Sequence, residues 1–354
     1  MGDERGHGAV SEAPFEVLVV RLSAVGDVVH TLPVAAALHA RGWRTTWLVE
    51  PGPRPLLEGN PAVAQVVSAP PVRAWSLGAV RGALSTLRAA RRDVALDLQG
   101  LWKSAAWARL SRAERVIGFA PRWRREPLSA VLVSEQADLR SEAVHVIDKN
   151  LALLRTLGLD VLGLREFPLP RAEATVERVE ALLREEGLSD FVMLNPGGGW
   201  ASKMWPAESF GRVAQGLRDR GLAALVTWGP GEEKLADRVV AASDGAARRS
   251  FPTTLLELVE VARRARLVVA ADTGPLHLAC AVRTPVVGIF GPTDPARNGP
   301  FSPRDLSVRR VPLCAPCHRR RCALHEGVME AIPPEEVLEA IDRRLGPAPA
   351  TVGV

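Results

Sequence analysis

Along most of the chain, short apolar runs alternate with longer stretches rich in Ala, Leu and Arg, and this alternation limits what the chain can fold into. Residues 16–20, 45–49, 94–98 and 131–133 read as strands of a first set. Between them, residues 32–40, 80–90 and 104–110 read as helices. A second set of strands follows at 191–194, 224–228, 267–271 and 286–290. Among its spacers, 209–220 and 234–242 repeat apolar residues at the 3.6-residue period of an amphipathic helix. Strands interleaved with helices form parallel sheets covered on both faces. The chain is therefore expected to be α/β, with two Rossmann-like, doubly wound domains facing a central cleft.

Length supports that division, because 354 residues exceed what a single core usually accommodates. A Pro-flanked segment near 167–172 is the expected boundary. It separates a domain at 15–170 from a second at 171–345, after a polar, Gly-rich tail at 1–14. Hydrophobic residues make up 47% and charged residues 24%, enough apolar content for two cores. The net charge of +5 is spread along the chain, which suits an anionic small molecule or a membrane surface as well as nucleic acid. No stretch approaches the ~18 consecutive apolar residues of a spanning helix. The tail lacks the apolar segment of a signal peptide, and four Cys do not form a secreted disulfide framework. The expected place is the cytoplasm.

In open α/β sheets, ligands bind beyond the carboxyl ends of the strands, so the loops there carry the functional reading. After the first strand comes Arg21-Leu22-Ser23-Ala24-Val25-Gly26-Asp27-Val28-Val29-His30-Thr31-Leu32-Pro33. Gly26 permits a tight turn, and Asp27 near the helix start is placed to take a proton from an incoming hydroxyl or to cap the helix. The second loop, Asn195 through Gly197-Gly198-Gly199 to Lys203 and Pro206, offers backbone N–H groups and one point charge to a phosphate. It lacks the Gly-Lys-Ser/Thr of a Walker loop and the spacing of a dinucleotide fingerprint. In the third, Asp272-Thr273-Gly274-Pro275-Leu276-His277, Thr273 can cap and Pro275 suits a first helical turn. The free N–H groups there form an anion site that would favour a departing diphosphate. Asp272 suits a sugar hydroxyl, or orients Thr273; His277 reads as a ligand or as a satisfied helix histidine. The fourth, Trp228-Gly229-Pro230-Gly231-Glu232-Glu233-Lys234, offers an acidic residue for a ribose or for a helix N-terminus.

These loops, together with Asp97-Leu98-Gln99-Gly100-Leu101-Trp102-Lys103-Ser104, resemble those of glycosyltransferase family 9, the ADP-heptose:lipopolysaccharide heptosyltransferases. The likeness runs from about residue 17 to 341, with the pieces in register. It implies a GT-B architecture, with acceptor on the N-terminal domain and sugar nucleotide on the C-terminal one. It also implies an inverting, single-displacement transfer in which Asp27 is the base and Lys203, Thr273 and Gly274 hold the diphosphate. Asp272 would meet the donor sugar, and Glu232 or Glu233 the ribose, with His277 beside them. Ser23, Gly26, Gln99 and Lys103 fall on the acceptor side. Arg122, Arg124 and Arg125, next to Trp123, would meet phosphorylated lipid headgroups or form a solvated surface run. Trp47-Leu48-Val49-Glu50 and Arg125-Glu126-Pro127-Leu128 look most like the enzyme that adds the first heptose to Kdo-lipid A.

The implied partners are thus ADP-heptose, Kdo-lipid A or a growing lipopolysaccharide core, and the inner face of the bacterial inner membrane through peripheral contact. No cofactor is expected. Nor is a catalytic metal, since no Asp-x-Asp pair occurs. Cys314, Cys317 and Cys322 with His325 invite a zinc reading, but a structural site wants four well-spaced ligands. Two alternatives stand beside the main reading: a heptosyltransferase acting later in the core, and a non-catalytic nucleotide-sugar binder, which has no need of Asp27. Nucleic acid is not expected, because no recognised binding module accompanies the basic run Arg319-Arg320-Arg321.

Overall fold

The structure is a computed structural model, and it describes residues 14–74, 76–139, 144–314 and 326–346. Two six-stranded sheets form, one from β1 (Glu16–Val20), β2 (Arg44–Val49), β3 (Gln65–Ser68), β4 (Val94–Asp97), β5 (Arg115–Phe119) and β6 (Glu135–Ala137). The other contains β7 (Phe191–Asn195), β8 (Ala223–Val226), β9 (Ala247–Arg249), β10 (Leu267–Ala271), β11 (Val286–Phe290) and β12 (Leu306–Arg309). Every pairing is parallel. The first sheet runs β3-β2-β1-β4-β5-β6 and the second β12-β11-β10-β7-β8-β9. Counted within its own half, the second order is the first one repeated, which is the doubly wound order with a switch point beside the first strand. The switch points lie between β1 and β4 and between β7 and β10.

Helices cover both sheets: α1 (Val25–Val29), α2 (Leu32–Ala40), α3 (Leu77–Arg88), α4 (Trp102–Leu110) and α5 (Val146–Ala152) in the first half. The second half carries α6 (Glu173–Glu185), α7 (Ala207–Arg218), α8 (Glu233–Ala242), α9 (Leu255–Arg264), α10 (Gly274–Ala281), α11 (Pro295–Asn298) and α12 (Pro334–Leu345). The central strands β7, β10 and β11 are buried at every position, as strands covered on both faces must be. α9 starts on a reciprocal cap, in which Thr254 accepts the Glu257 N–H and Glu257 accepts the Thr254 N–H. The apolar core of the first half continues into Val259, Leu278 and Ala281 of the second, so the halves share packing. Phe167 stacks on Phe301 at 4.7 Å across that contact.

One expected strand does not form. Residues 131–133 fall at the end of a 3-10 turn, Pro127–Leu132, and the strand follows at β6. Pro127 favours the turn's φ, and the turn buries Ser129 and Ala130 while Val131 faces solvent. β3, β5, β9 and β12 were not among the expected strands; three of them, β3, β9 and β12, end a sheet. Among the described residues, no helix is long and apolar enough to cross a membrane.

Candidate active site between the two sheets

The loops singled out in the sequence follow β1, β4, β7 and β10, the strands that flank the two switch points, and the acidic turn follows β8 beside β7. Topology therefore gathers them at facing ends of the two sheets. In the N-terminal half, β1 is followed by Arg21, whose buried guanidinium donates to the Leu98 carbonyl and pairs with Asp27 at 2.6 Å. The other Asp27 oxygen accepts the Ala24 N–H at 3.2 Å, so this carboxylate holds the start of α1 and is also open to the cleft, its side chain 44% exposed. Capping and proton acceptance are thus compatible. Ser23 is half-buried in the same loop. Gln99 accepts the Leu22 N–H at 2.9 Å, tying the β4 loop to the Asp27 loop. Lys103 pairs with Glu50 at 2.9 Å.

The three neighbouring arginines separate. Arg124 is a correction to the acceptor-side reading: its side chain is fully buried, donating to Asp97 at 2.8 Å, to Ser129 and to the Phe119 carbonyl. Asp97 in turn accepts the Gln99 and Gly100 N–H groups, both at 3.2 Å. Arg124 is therefore a strut under the loop that carries Gln99. Burying a guanidinium costs too much to leave its charge unpaired, and Asp97 supplies the counter-charge. Arg122 pairs with Asp138 on the surface, where the Trp123 indole joins it. That ion pair and hydrogen bond hold the Asp138 carboxyl below its usual range. Arg125 is exposed.

In the C-terminal half, Lys203 reaches Asp272 at 2.5 Å and lies 4.6 Å from the centre of the Trp200 ring. Asp272 is nearly buried and also accepts Asn298 at 2.6 Å and His277 Nε2 at 3.2 Å. Burial alone would raise its pKa, but the His277 hydrogen bond and the Lys203 charge outweigh it and hold the carboxyl far below the usual range. Asp272 thus organises three side chains. Thr273 precedes α10 but does not cap it with its side chain, since its hydroxyl donates to the Ala271 carbonyl at 3.1 Å. Glu232 accepts the Gly198 N–H at 3.1 Å and the Gly229 N–H at 2.9 Å, clasping the glycine loop to the acidic turn. Glu233, half-buried, begins α8.

The two halves meet where α1 faces α10. A Cβ on Gly26 would lie 2.5 Å from His277 Cδ2, and one on Gly274 would lie 3.0 Å from Val25. A side chain at Gly26 would force the helices apart, and one at Gly274 would press on Val25. His277 is buried in that contact, with the His30 ring 4.2 Å away centre to centre, so the structure gives it the helix-histidine part and no open face to a ligand. Burial, then the charges of His277 and His145, keep His30 neutral well below the ordinary histidine range.

The sequence reading did not assign Arg21, Arg297 or Asn298 a role. Burial lowers the Arg297 pKa, while Asp27 and Asp272 raise it and Arg21 and Arg125 lower it, so this guanidinium sits among the charges of both halves. Arg21 had a signal, a charged residue just after an apolar strand. Asn298 had none, because it reaches Asp272 from 26 positions away. Of the cysteine group, Cys317, Cys322 and His325 lie outside the described residues, as do Arg319, Arg320 and Arg321.

Two parallel doubly wound sheets with a charged cleft between their switch points define a GT-B fold. The sequence profile of glycosyltransferase family 9 (heptosyltransferase) matches residues 81–327, and the chain belongs to that family. It is 31% identical over 322 residues to lipopolysaccharide heptosyltransferase 1 of Pseudomonas aeruginosa, covering 87% of each chain. Lipopolysaccharide heptosyltransferase 3 of Escherichia coli K12 is 24% identical over 339 residues, 90% of this chain and 95% of that protein. The structure of E. coli heptosyltransferase WaaC with ADP superposes with a TM-score of 0.73 at 23% identity, covering 93% of this chain and 100% of that one. The chain is a glycosyl-transferring enzyme of the heptosyltransferase type.

Proposed function

We propose that this protein transfers heptose from ADP-heptose to the Kdo-lipid A inner core, by inverting single displacement and without a metal. The observation that carries the reading is the contact of α1 with α10, which sets Asp27 and the α10 start on one cleft. Asp27 takes the proton of the acceptor hydroxyl, and the oxygen attacks the anomeric carbon of the donor. The bond from that carbon to the diphosphate oxygen breaks, and ADP leaves with the electron pair. Charge that develops on the diphosphate meets Lys203 and the N–H groups of Thr273 and Gly274 at the α10 start. Arg21 orients Asp27, and the Asp272 network fixes Lys203. Glu232 or Glu233 meets the ribose. Asp272 meets the donor sugar. Ser23, Gly26, Gln99, Lys103 and Arg125 border the acceptor side. The protein works at the inner face of the inner membrane, touching it peripherally, and nucleic acid is no partner.

The likeness to heptosyltransferase 3 favours a second acceptor, a core that already carries heptose. Mass spectrometry separates the two. Kdo-lipid A and a heptosylated core are each incubated with ADP-heptose and the protein. A one-heptose gain on Kdo-lipid A alone is expected; a gain only on the heptosylated core would move the step later. No gain on either, with ADP-heptose still bound, would keep the donor site and move the question to a different acceptor or to the binding-only reading.

A further inference from the structure

One face of the N-terminal half is apolar, exposed and unused by the reaction. The outward stripe of α4 consists of Trp102, Ala106, Arg109 and Leu110, spaced i, i+4, i+7 and i+8 on one side of the helix. Trp102 is 44% and Leu110 45% exposed. The 3-10 turn Pro127–Leu132 packs beside α4, and Glu126 at its start accepts the Trp102 N–H at 2.6 Å. Residues three apart eclipse in such a turn, so Leu128 and Val131 project together, each 73% exposed. Basic groups rim these side chains: Arg125 before the turn, Arg109 on the stripe, Arg112 after the helix, and Arg88, whose guanidinium donates to the Leu110 carbonyl. The nearby acids are engaged, Glu126 with the Trp102 N–H and Glu114 with Arg91.

We infer that the face formed by α4 and the 127–132 turn seats this protein on an anionic lipid bilayer. Apolar side chains enter the headgroup boundary while arginines meet phosphate charge, which is how interfacial surfaces bind. The position fits. Gln99 before α4 and Lys103 in its first turn adjoin the Asp27 loop and Glu50. A lipid-linked acceptor held in that bilayer would present its sugar to Asp27 without leaving the membrane. The inference rests on the proposed reading that the acceptor is lipid-linked.

The test is flotation of the full chain with vesicles of phosphatidylglycerol and phosphatidylethanolamine, and with neutral phosphatidylcholine, beside the double variant L128E/V131E. Both positions are already open to solvent, so the variant should fold as the parent does. The parent should float with the anionic vesicles, less at high salt, and the variant should bind at least about tenfold more weakly. Both proteins should transfer heptose equally to a deacylated, water-soluble acceptor. Equal flotation of parent and variant would overturn the inference. So would sedimentation showing a dimer of the parent that the variant breaks, since the face would then join two copies. Absence of transfer to the soluble acceptor by either protein would count against the enzymatic reading alone, and the flotation difference would still decide the surface.

Discussion

Acidification should loosen this protein through His145. The residue stands before α5, where its Nδ1 accepts the Ile147 N–H at 3.2 Å, so the ring proton lies on Nε2, 3.2 Å from the Gly299 carbonyl of the other half. A second proton would set Nδ1–H against the Ile147 N–H and break that cap. Burial is the main cause that brings the His145 pKa down to about 4 from 6.5; Gly299 and Asp148 oppose it, and Arg165 and His277 add to it. The folded pKa is thus the lower one. Between the two values the unfolded chain binds more protons, so stability is whole above the unfolded pKa and falls as pH drops toward the folded one. From about pH 7.5 to about pH 5, His145 alone costs about 2 kcal/mol, an upper figure because the ring is not wholly buried. Urea unfolding at the two pH values, for the parent and for His145→Asn, reads this directly. Asn keeps a cap acceptor but does not titrate. The acid loss of the parent should exceed that of the variant by about 2 kcal/mol, with His30 contributing to both. Equal losses would refute the reasoning.

Arg124→Leu should destabilise the fold by about 3–5 kcal/mol, because Asp97 would stay buried beside it without its cation; a change under about 1 kcal/mol in chemical denaturation would contradict the strut. Gly26→Ala should press its methyl into His277 and part α1 from α10, costing about 1–3 kcal/mol and lowering kcat at least tenfold; parental turnover would show that the close approach is dispensable. Lys203→Met should weaken ADP binding by about tenfold or more in calorimetry, since one charge-assisted contact is removed; an unchanged Kd would take the diphosphate off Lys203.

Much of this architecture was legible in the chain. β7, β10 and β11 lie inside continuous apolar runs, which central parallel strands must have. β3 and β9 carry Gln, Ser and Arg, because each ends its sheet with one side open, and their sequences look like loop. The stretch at 131–133 misled for the opposite reason, being apolar although Val131 faces solvent. The site loops were visible through glycines and acids after strands. Which of those acids are free was not. Glu232 is drawn to two backbone N–H groups and Asp272 to three side chains, and such pairings join positions up to 69 apart. Arg124 shows the same limit, since three arginines within four positions look alike until one of them turns inward to Asp97.

The central claim is that Asp27 removes the acceptor proton in heptose transfer, and its most direct test is the turnover of Asp27→Asn. The amide keeps the size of the side chain and can still accept the Ala24 N–H, yet it cannot take a proton. Single-turnover transfer from ADP-heptose to Kdo-lipid A, with donor affinity measured alongside, should fall by about 10²–10⁴-fold while ADP-heptose binds as before. Transfer within a few-fold of the parent at full donor occupancy would contradict the account, leaving Asp27 as the cap of α1 and the base to be sought elsewhere in the cleft.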